Sequence, residues 1–158
     1  MPSELIEKAV NSGLPEAMGQ MARNYVSGEY GFEKDYAKCI KWATKAANEV
    51  DEVGMFYLGS CYFAGWGVEK NYVTALSWYG RCQDKHLALA TNNIGHIYRH
   101  GGYGVVQDYV KAVEYYRKAS ELGNVHGSLN LGNMYYDGLR VEQSFIEARK
   151  LYKKAADK

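Results

Sequence analysis

The sequence predicts an all-α fold made of four copies of one helix–turn–helix unit, preceded by half a unit. Three observations predict it. A tyrosine recurs at Tyr25, Tyr62, Tyr98 and Tyr135, spaced 37, 36 and 37 residues apart, and a glycine follows each by three residues, at Gly28, Gly65, Gly101 and Gly138. A residue that favours a helix N-cap recurs at Asp35, Asn71, Asp108 and Ser144, spaced 36, 37 and 36. The composition agrees: 17 glycines against 2 prolines in 158 residues suit many helix ends and few helix breaks, and an apolar content of 47% is enough for a packed core.

The elements follow in order. The stretch "LIEKAVNSGLPEA" at 5–17 matches "YYRKASELGNVHG" at 115–127, with Ala9 under Ala119, Gly13 under Gly123 and Ala17 under Gly127. It therefore reads as a capping helix over 3–12, with Ser3 as its N-cap. The four copies occupy about 14–50, 51–86, 87–123 and 124–158, all within a single domain spanning 1–158. In the first helix of a copy, Leu58, Gly59 and Tyr62, with Ile94, Gly95, Tyr98 and Leu131, Gly132, Tyr135, set a large apolar group, a gap and a ring on one face. Glycine inside a helix costs about 1 kcal/mol relative to alanine, so its recurrence predicts that another helix backbone packs against it. In the second helix a small residue recurs at Cys39, Ala75, Ala112 and Ala148, and again at Ala46, Cys82, Ala119 and Ala155. Between these columns stand Trp42, Trp78, Tyr115 and Leu151, then Tyr79, Tyr116 and Tyr152, with Ala43 in the first copy. Small positions that receive rings from a neighbouring helix give the interlocking a dense core requires.

The stretches "YLGSCYFAGWGVEKNYVTALSWYGRC" and "NIGHIYRHGGYGVVQDYVKAVEYYRKASELG" resemble the Sel-one-like repeat, a relative of the tetratricopeptide repeat, whose pattern is LGxxYxxGxGVxxDxxxAxxWYxxAAxxG. The resemblance covers residues 14 to 158. Copy one departs from it with Met21-Ala22 for Leu-Gly, and copy four has Arg140 where Gly67 stands in copy two. What the resemblance implies is a right-handed α-solenoid of helix pairs, with the first helix of each pair lining the concave side, and a role in binding a protein or peptide.

Several function classes are disfavoured by the residues themselves. The net charge is +1 with no basic tract, so nothing directs the chain to nucleic acid or to an anionic membrane. There is no run of 18 apolar residues, and "MPSELIEKAV" lacks the pattern of a secretory signal. As written the chain reads as cytoplasmic, and a periplasmic domain without its leader would read the same. The glycines of "NIGHIYRHGGYG" occupy the turn that Gly65 and Gly67 occupy in copy two, so they read as scaffold rather than a phosphate cradle, which would need a preceding strand. Cys39, Cys61 and Cys82 form no CxxC and fall in packed columns, so they read as buried structural thiols. Some secreted members of the resembled family carry a disulfide in each repeat and have been linked to β-lactamase-like activity. The paired cysteines are absent here, and no SxxK supports such chemistry. The lysines and arginines of the second helices, among them Lys38, Lys45, Lys111 and Lys150, read as a solvated convex face.

Candidate site residues come from columns that vary inside the rigid pattern. His96 aligns with Arg23, Ser60 and Asn133, and His100 with Ser27, Ala64 and Asp137. By analogy with the tetratricopeptide architecture these columns face the groove. So do Gly19, Phe56, Asn92 and Leu129, then Val26, Phe63, Arg99 and Tyr136, with His126 at the rim. Exposed Phe56, Phe63 and Tyr136 are the expected anchors, because aromatic residues dominate binding hot spots. Arg23, Asn92, His96, Arg99, His100, His126, Asn133 and Asp137 are expected to supply direction. An i, i+4 histidine pair is half of a zinc site, but HExxH is absent and Arg99 opposes a cation, so neither metal nor cofactor is expected. The expected function is an adaptor or scaffold. The alternatives are an immunity protein that inhibits a cognate bacterial toxin by direct binding and, further off, a metal-dependent or hydrolytic enzyme.

Overall fold

The structure, a computed structural model, describes residues 2–158 and the side chains of all these except Pro2, Ser3, Asp84 and Lys85. The described residues form an all-α repeat fold of nine helices: α1 Pro2–Asn11, α2 Pro15–Ser27, α3 Tyr36–Asn48, α4 Glu52–Ala64, α5 Tyr72–Tyr79, α6 Asp84–His100, α7 Tyr109–Glu121, α8 Val125–Asp137 and α9 Phe145–Ala156. Ser3, expected to cap α1, has a helical backbone inside it, and its side chain lies outside the described ones. The chain divides into two compact units, one running to His86 and the other from Leu87 to Lys158.

Each helix pair is closed by the residues that recur. Asp35, Asn71, Asp108 and Ser144 are extended, and each side chain accepts a hydrogen bond from the backbone N–H three residues on. The backbone N–H of each of these caps also donates to the carbonyl of the aligned tyrosine, at 2.9 Å to Tyr25, 2.9 Å to Tyr62, 2.7 Å to Tyr98 and 3.0 Å to Tyr135. The cap and the tyrosine therefore stay in register because one hydrogen bond joins their backbones. Two first helices carry caps of their own, Asp51 for α4 and Asn124 for α8. In the turns, Arg140 adopts φ 59°, close to the 68° of Gly67 in the same column. A side chain at Gly67 would meet the backbone of Tyr36, whereas the turn before α9 accepts one. The second helix of copy two is shorter than its counterparts: α5 stops at Tyr79, where Gly80 stands in the column of Thr44, Arg117 and Lys153.

The recurrent helix glycines answer to rings rather than to the helix backbone expected of them. A Cβ on Gly59 would sit 2.8 Å from Cδ1 of Tyr79, on Gly95 2.7 Å from Cδ1 of Tyr116, and on Gly132 2.7 Å from Cε1 of Tyr152. The close backbone approach occurs instead at Gly54, against Ala47 N, and at Gly127, against Ser120 N. The small columns of the second helices are buried throughout, from Cys39 and Ala75 to Ala112 and Ala148. All three cysteines are free and buried.

Candidate functional site

The tyrosines that fill the glycine gaps carry their hydroxyls onward to the first helix of the same copy, and this determines part of what varies there. In copy two, Ser60 Oγ and Tyr79 Oη are 3.1 Å apart. In copy four, Tyr152 Oη donates to Asn133 Oδ1 at 2.7 Å. Ser60 and Asn133 share the column of His96, so packing does reach this column: the residue there answers to a tyrosine. Copy one has Ala43 in place of the tyrosine, and there Arg23 is exposed. By spacing alone the tyrosines read as core. Their absence from copy one, together with a polar residue at 60 and 133, was the available signal that their hydroxyls needed partners.

In the first unit one of the two expected aromatic anchors is not at the surface. Phe56 is only 9% exposed. Its ring lies 5.4 Å from Tyr57, 5.8 Å from Tyr79 and 5.1 Å from His86, a position that the missing turn of α5 leaves to α6. Gly19, in the same column, is buried against the side chains of Asp51 and Val53. Phe63 is half-buried, stacked 5.6 Å from Tyr72. Arg23 remains on the surface of α2, where its charge opposes the upward effect of burial on the Tyr57 phenol. His86 is held by Glu52, whose Oε1 also accepts from the backbone N–H groups of Gln83 at 3.0 Å and His86 at 3.3 Å. That carboxylate serves the start of α6.

The second unit brings together most of the expected polar residues. Asn130 Nδ2 donates to Asn92 Oδ1 at 2.9 Å, which joins α8 to α6. One end of α6 carries His96 and His100, stacked with centroids 4.1 Å apart, and His100 Nδ1 lies 3.0 Å from the carbonyl of His96. Arg99 Nη2 approaches Asp137 Oδ2 at 3.9 Å, with the arginine side chain 24% exposed and the aspartate 45%. The Arg99 carbonyl accepts from Gln107 Nε2 at 2.8 Å. Tyr116 Oη is buried beside Arg99, and burial pushes the phenol up to about 12. Burial, followed by the charges of His100 and Arg99, lowers His96 to about 4, so its ring is neutral at pH 7. Tyr136 is 53% exposed, edge-on to Phe145 at 5.2 Å.

His126 does not join this group. It lies on the first turn of α8, and Asp137 ends that helix eleven residues on, a rise of about 16 Å. The two cannot share an ion, and among the described residues no group of three metal-ligating side chains converges. The basic residues of the second helices are exposed, and two lie over rings, Lys45 at 4.8 Å from Trp42 and Lys111 at 4.9 Å from Tyr98; Arg81, just past α5, lies 4.7 Å from Trp78. Among the described residues no helix is long and apolar enough to cross a membrane.

The repeat architecture now has an independent match. The model of the Sel1 repeat matches residues 15–51, 53–81, 88–124 and 126–158. The chain belongs to the Sel1 repeat family. Two solved structures resemble it closely. A Sel1 repeat protein from Oxalobacter formigenes is 32% identical with a TM-score of 0.83, over 98% of this chain and 62% of that one. The protein c5321, a protective antigen present in uropathogenic Escherichia coli strains and displaying an SLR fold, is 30% identical with a TM-score of 0.81, over 98% of this chain and 32% of that one. The chain thus spans less than two thirds of either protein. No curated protein matches it. Sel1 repeat proteins are in general protein-interaction modules.

Proposed function

We propose that this Sel1 repeat chain is an adaptor that holds a protein or peptide partner on the first-helix face of its second unit. The observation that carries this reading is the division of labour within that unit. Residues that recur from copy to copy pack, as Gly95 does against Tyr116 and Gly132 against Tyr152. Arg99, His100, Tyr136 and Asp137, which differ from copy to copy, stay wholly or partly exposed at neighbouring ends of α6 and α8. A surface held by rigid helices loses little freedom on binding, which favours a partner that supplies the complementary shape. Tyr136 is the anchor, with its ring presented on Phe145.

A photo-crosslinking amino acid at Tyr136, compared with one at exposed Glu114 on α7, tests the reading in source-cell lysate. Crosslinks to a defined protein from position 136, absent from position 114 and lost in an Arg99→Glu variant that still unfolds cooperatively, are the expected result. Equal capture from both positions, or capture that survives Arg99→Glu, would overturn it. Identification of the captured protein then separates an adaptor, which takes an extended segment, from an inhibitor of one folded toxin.

A further inference from the structure

We infer that Arg99 receives the carboxylate of an acidic side chain on the partner, next to an apolar residue that covers Tyr136. The inference rests on the binding reading above and assigns the chemistry of the partner at that surface.

Donors are in excess around Arg99. A guanidinium carries five N–H groups in a planar fork, and a carboxylate satisfies two of them at once. Its neighbouring carboxylate, Asp137, stands 3.9 Å away, beyond hydrogen-bond distance, so the charges are paired while the fork is not filled. Beside the guanidinium lies the Tyr116 hydroxyl, fully buried, with the Arg99 charge acting on it. In copies two and four the equivalent hydroxyls are matched by Ser60 and Asn133. In copy three the tyrosine stands next to Arg99, in the column that holds Phe63 and Tyr136 in copies two and four.

An incoming carboxylate supplies the missing acceptor and exchanges a long ion pair for a bidentate one. Asp137 works against a dianionic phosphate here, and among the described residues Arg99 is the guanidinium paired with it, so a monoanion fits better. A free small carboxylate would cover little of this open surface. Tyr136 and Phe145 are 53% and 58% exposed and adjoin Asp137, so an apolar side chain flanking the acid buries area there that a lone acid leaves wet.

The test uses the isotope-labelled full chain and two capped, amidated peptides, Ac-Ala-Leu-Glu-Leu-Ala-NH2 and the same sequence with Gln for Glu. Blocked ends leave the side chain as the only carboxylate. The readout is the Arg99 Nε–Hε resonance, assigned by its loss in Arg99→Lys. At equal concentration the Glu peptide is expected to shift it at least about fivefold further than the Gln peptide. Asp137→Asn should enlarge the shift by removing the internal competitor. Equal shifts from the two peptides would overturn the carboxylate assignment while leaving a groove that binds peptides. No movement at Arg99 with either peptide would overturn the assignment as well, and the crosslinking result then decides separately whether the surface binds protein at all.

Discussion

His96 shows how one repeat position can carry packing and charge together. It occupies the slot that holds Ser60 and Asn133 in the neighbouring copies, and burial beside Arg99 and His100 lowers it to about 4 from 6.5. The unfolded chain therefore binds a proton between about pH 4 and 6.5 that the folded chain refuses. Stability from this residue is complete above 6.5 and is lost as pH falls toward 4. The ring is only half-buried, so the full linkage is discounted to about 1–2 kcal/mol. Urea midpoints at pH 7 and pH 4.5 should fall further apart for the wild type than for His96→Gln, and parallel loss in both proteins would contradict this. Phe56 marks the opposite outcome at the same scale. Its column reads as groove-facing, yet the ring is buried because α5 ends early and His86 closes over it.

Between elements, the unit of packing is a tyrosine of the second helix set into a glycine of the first. The spacing of both was legible, as were the caps that start α3, α5, α7 and α9, because each depends on local backbone geometry. The sequence points to a helix backbone in the gap, and the structure puts the tyrosine ring there. Gly59→Ala tests the answer in a copy away from the proposed site. The added methyl would lie 2.8 Å from Cδ1 of Tyr79, a ring atom that cannot swing aside. Overpacking of about 1–3 kcal/mol then exceeds the helix-propensity gain of up to about 1 kcal/mol. A lowered thermal midpoint is expected, and an unchanged or raised one would show that the slot has slack.

On the scale of the molecule, the reporters are unevenly placed. All three cysteines and all three tryptophans, Trp42, Trp66 and Trp78, belong to the first unit. Cys39 and Cys61 are buried with their sulfurs 3.5 Å apart. Burial pushes Cys82 up to about 12, and hydrogen bonding to Cys39 and burial push Cys61 upward too. A thiol reagent at pH 8 should leave the native chain unlabelled for minutes and label three thiols once the first unit unfolds, since the thiolate is the reacting form. Prompt labelling of the native protein would refute the packing of α3 on α4. Tryptophan fluorescence reports that same unit alone, so the second unit has to be followed through its helicity.

The four copies, their helix boundaries at the caps and glycine turns, and the small-residue columns were determined by the sequence itself, because these features are set by contacts within a turn or within one repeat. Which varied residues reach the surface was decided by tertiary structure. Asn133 is claimed by the hydroxyl of a tyrosine 19 residues away, and Phe56 is enclosed by a histidine 30 residues on. Arg99 meets Asp137 only because α6 and α8 end side by side. Such partners depend on how long each neighbouring helix runs and where its side chains point, and a single missing turn in α5 is enough to turn a groove residue into core.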